Sequence, residues 1–171
     1  MECSGFWGCI GAFLGSDVFK NVAFIGGVLV AVVSVLSAKA TARKKQSSDL
    51  LFNSRGDTEL VQGMRMISTL HKRQDVNMRH YAKEDQVGTE EAKALRYVLN
   101  HYEYVSVGIQ SGIYDEMMLK SSSYNTIINL YKYAKPFIEG IREESGRATI
   151  YQEFQWLAKR WESKPIKKRK K

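Results

Sequence analysis

Residues 22–38 form an uninterrupted apolar run, VAFIGGVLVAVVSVLSA, and this run most constrains what the chain folds into. It contains no charged residue, and its only polar residues are Ser34 and Ser37. As an α-helix, a run of this length extends about 26 Å, close to the roughly 30 Å thickness of the hydrocarbon core of a bilayer. Lys20 and Lys39 flank the run and can reach the lipid headgroups. We therefore predict one transmembrane helix over residues 22–42.

Two alternatives compete with a transmembrane helix. A core helix buried in a soluble protein seldom lacks a polar face over such a length. A cleaved export signal is suggested by the small-x-small sequence at residues 38–40, but residues 1–21 contain only one base, Lys20, where a signal begins with several. Three bases also follow the cleavage position directly, and such bases resist translocation. The transmembrane interpretation is therefore preferred.

The bases that follow the apolar run are Arg43, Lys44 and Lys45. Short flanks rich in Lys and Arg stay on the cytoplasmic side of a membrane. We therefore predict a single-pass protein of the cell inner membrane, with its N-terminus outside and residues 43–171 in the cytoplasm. Residues 43–56 are interpreted as a basic juxtamembrane linker.

The N-terminal segment, residues 1–21, is also largely apolar. Residues 3–14 are too short to cross a bilayer as a helix, so an interfacial position is predicted for them. Cys3 and Cys9 lie in this stretch; they can pair in an oxidising compartment, but two unpaired interfacial residues are the preferred interpretation.

Small side chains recur at intervals of three and four along the predicted span, and so share one face of the helix. Such a face lets a second helix approach closely, which makes a homo-oligomer in the membrane a hypothesis. The positions are Gly27, Ala31, Ser34 and Ala38.

The formal net charge of +8 is concentrated at the C-terminus, residues 164–171, which hold six bases and no acid. The tail ends in five consecutive bases, and next to anionic lipid each contributes about 1 kcal/mol. The same bases could bind nucleic acid without sequence preference, but no nucleic-acid-binding module accompanies them. Membrane lipid is therefore the predicted partner, a merely solubilising tail is the alternative, and nucleic acid is not predicted as a partner. The five bases are Lys167, Lys168, Arg169, Lys170 and Lys171.

Helical spacing of apolar residues recurs through residues 57–163, with almost no strand pattern, so an all-α bundle of four to five helices is predicted. The first predicted helix is 57–74, with Asp57 or Thr58 as cap, and the second follows Thr89 and stops near Gly112. A short helix is predicted at 114–119. The next helix is capped by Ser122 or Ser123, kinked near 132–136 by Pro136 and ended by Gly146, and the last is 148–163. Residues 74–88 are predicted to be a connection.

Motifs for catalysis or for cofactor binding are absent from the sequence. There is no phosphate-binding loop, GxSxG, HExxH or paired CxxC. His71, His80 and His101 are too far apart in sequence to share a helical turn, so no metal and no cofactor are predicted. Glu103 is the one acid within the apolar stretch of the strongest predicted helix, and a buried ion pair with Arg142 or Arg96 is the preferred interpretation.

Three stretches of the sequence resemble one known family. They are NHYEYVSVGIQSGIYDE at 100–116, KPFI at 135–138 with Arg142 after it, and FQWLAKRW at 154–161. In these stretches the chain resembles the membrane-anchored family DUF4760 of bacteria and their phages, a domain of unknown function. The resemblance covers residues 90–162. The positions that match the family pattern are Tyr102, Glu103, Gly108, Gly112, Asp115 and Arg142.

The resemblance implies a single N-terminal anchor and a helical cytosolic domain, without an established activity or catalytic residues. Gly108 and Gly112 lie four residues apart, which predicts a close crossing of two helices. The predicted function is that of a non-enzymatic interaction or regulatory module that binds itself or another membrane or cytosolic protein. A role in phage biology or defence follows only by analogy.

Two other functions remain open. One is a membrane-associated enzyme of unknown reaction that uses Glu103 and Asp115, with His101 and Arg142 as further candidate active-site residues. The other is a lysis-type protein that perturbs the membrane, although the large cytosolic part is excessive for that purpose.

Overall fold

The computed structural model describes residues 17–73 and 75–166, except the side chain of Val18. Within these ranges the chain is helical and has no strand, which confirms the predicted all-α class. Two short 3₁₀ helices, Met78–Ala82 and Glu84–Gln86, occupy the predicted connection. The α-helices are α1 (Asp17–Gly56), α2 (Thr58–Lys72), α3 (Glu90–Gln110), α4 (Glu116–Ser145) and α5 (Gln152–Ser163).

The chain divides into two compact units between Ala42 and Arg43. The helix α1, most of which lies in the first unit, is long and apolar enough to cross a membrane, and none of its most apolar stretch is buried by the residues that the structure describes. Phe24, for example, is 72% exposed. A helix that leaves such side chains uncovered differs from the core helix of a soluble protein, whose apolar face is buried.

The second unit begins with residues 43–56, which differ from the predicted linker. They continue α1 as far as Gly56, and Ser47, Leu50 and Leu51 lie against the bundle. Leu50 and Leu51 pack against its apolar core, which explains why the segment is ordered as a helix.

Side-chain caps fix the starts of α2 and α3 where the sequence predicted them. The Asp57 carboxylate accepts a hydrogen bond from the N–H of Leu60 at 2.9 Å, and the Thr89 hydroxyl accepts one from the N–H of Ala92 at 3.3 Å. Each cap satisfies a backbone donor that has no partner within the helix.

The core of the second unit is a single apolar cluster to which α2, α3, α4, α5 and the first 3₁₀ helix contribute. α2 packs on α3, α5 packs on both α3 and α4, and the first 3₁₀ helix packs on α4. Its largest fully buried side chains are Trp161, Phe137 and Phe154. The aromatic stripe of α5 is therefore a core face, as its helical spacing indicates.

Two glycines allow these elements to approach closely. A Cβ at Gly63 of α2 would lie 2.6 Å from Cγ2 of Val98 on α3, and one at Gly140 of α4 would lie 2.7 Å from Cβ of Ala82. Both distances are shorter than van der Waals contact, so a larger residue would push the elements apart.

Two predicted boundaries are wrong. The short helix at 114–119 and the helix capped by Ser122 or Ser123 are one helix, α4, which runs through Pro136. Its cap is Asp115, which accepts a hydrogen bond from the N–H of Met118 at 3.0 Å. The last helix begins at Gln152 instead of residue 148, because Tyr151 has a left-handed backbone with φ of 57°.

Candidate functional site

Ser47 lies fully buried where residues 43–56 of α1 meet the turn between α3 and α4. Its hydroxyl accepts a hydrogen bond from the N–H of Asp115 at 2.7 Å and donates one to the carbonyl of Arg43. Arg43 in turn donates from Nη2 to the carbonyl of Tyr114 at 3.3 Å. We call these four residues, Arg43, Ser47, Tyr114 and Asp115, the α1 joint. In the α1 joint, Arg43 and Ser47, one helical turn apart on α1, bond to two consecutive residues of the α3–α4 connection, Tyr114 and Asp115.

The two motif glycines shape the turn that belongs to the α1 joint. A Cβ at Gly108 would lie 2.3 Å from Cε2 of Tyr114, so only glycine leaves room for this ring. Gly112 has a φ of 69°, a left-handed conformation that favours glycine. The predicted helix crossing at these glycines is therefore wrong: Gly108 makes room for the Tyr114 ring, and Gly112 reverses the chain.

Glu103 of α3 reaches the first turn of α5. Its carboxylate accepts hydrogen bonds from the N–H groups of Phe154, at 2.7 Å, and Glu153, at 3.3 Å. Burial raises the pKa of Glu103, while the two backbone donors act in the opposite direction. The predicted ion pair is wrong: among the described residues, Glu103 forms no salt bridge with Arg96 or Arg142 but caps a helix.

Arg142 of α4 holds the segment that leads into α5. Its Nε donates to the carbonyl of Ile150 at 2.9 Å, and its Nη1 donates to the side-chain carbonyl of Gln155 at 2.8 Å. Its Nη2 is buried and has no hydrogen-bond partner in the part of the chain that the structure describes. The guanidinium is therefore held in place by two bonds with one donor nitrogen unused.

Tyr102 is buried between α2, α3 and α5. Its hydroxyl donates to the sulfur of Met64 at 3.3 Å, and its ring stacks on Phe154 with centroids 5.6 Å apart. Burial raises the pKa of Tyr102 to about 12, so the phenol remains protonated at neutral pH. A protonated, enclosed phenol serves packing better than proton transfer.

A groove of about 490 Å³ lies between α4 and α5. Apolar atoms of Ile128, Ile138 and Ala158 contribute to its lining. Six charged residues line it as well, four of them basic, so its lining has an excess of two positive charges: Lys132, Lys135, Arg142, Lys159, Glu139 and Glu162. We call this cavity the α4–α5 groove.

The histidines His71 and His101 contact different residues. Nε2 of His101 is 3.3 Å from the hydroxyl of Ser54, and burial lowers the pKa of His101. His71 stacks on Tyr133 with ring centroids 3.9 Å apart. Over residues 17–73 and 75–166, no group of three or more His, Cys, Asp or Glu side chains is placed to hold a metal ion.

The remaining predicted positions lie on exposed helix or outside the described residues. The small side chains of α1 at Gly27, Ala31, Ser34 and Ala38 are all exposed, as are Lys44 and Lys45. The predicted lipid-binding bases 167–171, and also Cys3 and Cys9, lie outside the described residues.

Several structurally important residues were missed by the sequence analysis. Ser47 has no motif around it, and its role depends on a partner 68 positions away. Glu116 receives hydrogen bonds from Nε of Arg160, at 2.8 Å, and from the indole N–H of Trp161, at 3.2 Å. These bonds join the start of α4 to the end of α5. The one sequence signal for Glu116, Arg160 and Trp161 was that they lie in the stretches that resemble the family, residues 100–116 and 154–161.

Comparison with known proteins identifies one family. The family model described as "Domain of unknown function (DUF4760)" matches residues 21–161. The match extends beyond the resemblance at residues 90–162 and includes nearly all of α1. No curated protein and no solved structure matches the chain.

Proposed function

We propose that this chain, which belongs to the DUF4760 family of unknown function, is a single-pass membrane protein whose helical bundle acts as a non-enzymatic interaction or regulatory module. The bundle lies on the cytoplasmic face of the inner membrane. Its partner is a second copy or another membrane or cytosolic protein, and lipid contacts add to attachment at the membrane.

The uncovered apolar stretch of α1 is the observation that most supports this proposal. Burying this stretch in lipid removes it from water, which is its main thermodynamic requirement. The family match supports retention of the helix, because its bounds, residues 21–161, include residues 38–40, where a signal peptidase would cut. A removed signal is not expected to belong to the same domain as the mature protein.

The use made of the motif residues supports a non-enzymatic role. Glu103 and Asp115, on which an enzyme would depend, each accept backbone hydrogen bonds at the start of a helix. Arg142 has two of its nitrogens in structural bonds. An acid that backbone donors hold at the start of a helix is poorly placed for proton transfer to a substrate.

The small side chains of α1 support self-association in the membrane as one form of this function. No atom of the described residues lies within 4 Å of a Cβ built at Gly27, so another helix can approach this face. Replacing Gly27 and Ala31 by leucine is expected to weaken association in a membrane two-hybrid assay. Unchanged association would exclude this face as the contact.

The proposal is tested by cross-linking the full-length chain in cells and purifying it from detergent. We expect the chain in the membrane fraction, resistant to carbonate extraction, and cross-linked to itself or to a defined protein. Recovery in the soluble fraction, or the absence of any cross-linked species, would contradict it. Induced expression that leaves the membrane potential intact would exclude the lysis-type alternative.

A further inference from the structure

The α4–α5 groove presents unpaired positive charge. Lys132 and Lys159 are exposed, and neither forms a salt bridge with any described residue. Lys135 is partly neutralised by Glu139, with 3.6 Å between Nζ and Oε1. Arg142 adds a charge that cannot swing away, because two hydrogen bonds hold its guanidinium. An acidic partner gains most from such a lining.

The same chain exposes a segment of opposite charge at residues 84–91. Four of its eight residues are acidic, and none is basic. Glu84 and Asp85 are exposed and form no salt bridge within the described ranges, whereas Glu90 is bonded to Lys93. Val87, between the two acidic pairs, is 44% exposed at a tight turn. We call residues 84–91 the acidic turn.

The two surfaces complement each other in charge and in the position of their apolar atoms. The acidic turn has one exposed apolar side chain between two pairs of acidic residues, and the groove has apolar lining atoms together with four basic and two acidic residues. We propose that the acidic turn of one copy of this chain binds in the α4–α5 groove of a second copy. Val87 contacts the apolar lining of the groove near Ile128, and the carboxylates face Lys132 and Lys159.

This contact is heterologous, because it joins two different surfaces. Each copy that donates its acidic turn still has a free groove, so association extends from copy to copy until a ring closes or a chain forms. Exposed ion pairs are individually weak and screened by salt, so the contact is reversible and depends on ionic strength. The inference rests on the proposed function in one respect only: it names the partner of the bundle as a second copy.

The test exchanges charge between the two surfaces in the full-length chain. One variant reverses the groove (Lys132→Glu with Lys159→Glu), and a second reverses the turn (Glu84→Lys with Asp85→Lys). Each is labelled with donor or acceptor dye on the native cysteines and reconstituted in phosphatidylcholine vesicles. Energy transfer between copies reports their association.

Each variant alone places like charges opposite each other, so we expect its association to weaken about tenfold. A mixture of the two variants pairs an acidic groove with a basic turn and a basic groove with an acidic turn. We therefore expect transfer to recover in the mixture, which also shows that both variants are folded. The matched control, Arg65→Glu with Arg147→Glu, reverses two exposed bases outside both surfaces and is expected to associate as the wild type does.

Three results would overturn the proposal. They are unchanged transfer in both single variants, an equal loss in the control, and a loss that mixing does not restore. The last result would show that the loss does not come from charge pairing between the groove and the acidic turn. None of them affects membrane attachment or the capture of another protein, so failure here is distinguishable from failure of the proposed function.

Discussion

Glu103 caps a helix to which it does not belong: its Oε2 lies 2.7 Å from the backbone nitrogen of Phe154, 51 positions further along the chain. Tyr151, which occupies the cap position of α5, has a left-handed backbone and makes no side-chain capping bond. The first turn of α5 therefore obtains its acceptor from α3. A carboxylate at the N-terminus of a helix is also favoured by the helix dipole.

Replacing Glu103 by alanine is expected to destabilise the bundle by about 1–2 kcal/mol, because the donors of Glu153 and Phe154 lose their acceptor. Glu103→Gln retains one carbonyl acceptor and is expected to cost less. Denaturant unfolding of the full chain in detergent, followed by tryptophan fluorescence, measures both changes. Glu162→Ala, at an exposed position on α5, is the control. Equal stability of all three variants would contradict the capping role.

The α1 joint predicts a local effect at Ser47. Ser47→Ala removes the acceptor of the Asp115 N–H and leaves this half-buried donor without its partner, at a cost of about 1 kcal/mol. We expect faster hydrogen exchange at the Asp115 amide. Ser121→Ala, which removes an exposed hydroxyl bonded to its own helix, should leave this amide protected. Unchanged exchange in Ser47→Ala would show that the joint does not hold the turn.

Gly108→Ala tests the packing of the α3–α4 turn. The added methyl would lie 2.3 Å from Cε2 of Tyr114, so the ring has to move, at a cost of about 1–3 kcal/mol. In a Tyr114→Ala background there is no ring to displace, and the added cost of Gly108→Ala is expected to fall close to zero. Gly88→Ala is the control, because no described residue has an atom within 4 Å of a Cβ built at Gly88. Costs that simply add would contradict the contact.

The stability of the bundle is expected to depend on pH through Glu116. The hydrogen bond from Arg160 lowers the pKa of Glu116, so the stabilisation is complete above about pH 4.3, the ordinary value for glutamate, and is lost as the pH falls further. Glu116→Gln should therefore flatten the loss of stability between about pH 5 and pH 3.

Glu103 is a control for this pH dependence, because its pKa is shifted in the opposite direction to that of Glu116. Burial raises the pKa of Glu103, so the folded state favours its protonated form and gains stability on acidification. Glu103→Gln removes this gain and should make the acid-induced loss steeper. If the stability of Glu116→Gln depends on pH as that of the wild type does, Glu116 is not the source of the acid-induced loss.

Local signals predicted much of this fold. The starts of α2 and α3 follow from Asp57 and Thr89, whose side chains bond to donors only three residues away. The end of α4 follows from Gly146 in the same way. At α4 the local signal was misleading: Ser122 or Ser123 was predicted as the cap, whereas the cap is Asp115, seven or eight positions earlier.

The long-range contacts could not be predicted. Residues 43–56 resemble a linker by composition, and only packing on the bundle makes them part of it. Glu103 is an acid within an apolar stretch, which suggested a buried ion pair with Arg96 or Arg142, but its partners are backbone groups at a distant turn. That a half-buried carboxylate needs hydrogen-bond donors could be predicted from the sequence, whereas the identity of those donors depends on the tertiary fold.

The native cysteines provide a test of membrane orientation. Cys3 and Cys9 are the only cysteines of the chain and both precede α1. With the N-terminus outside, a membrane-impermeant maleimide should label them in intact cells once the outer layers are permeable to it. A variant that combines Cys3→Ser and Cys9→Ser with Ser163→Cys has a single thiol, at an exposed position of the bundle, and should be labelled only after lysis.

The bases beside the span are expected to set this orientation. Replacing Lys44 and Lys45 by glutamate in the single-thiol variant weakens the charge bias, so the fraction of the bundle thiol that is labelled in intact cells should rise. Arg65→Glu with Arg147→Glu changes two exposed bases far from the span in sequence and is the control, with labelling expected only after lysis. The maleimide cannot cross the inner membrane. If it labels the bundle thiol in intact cells when Lys44 and Lys45 are retained, the bundle lies outside and the predicted orientation is wrong.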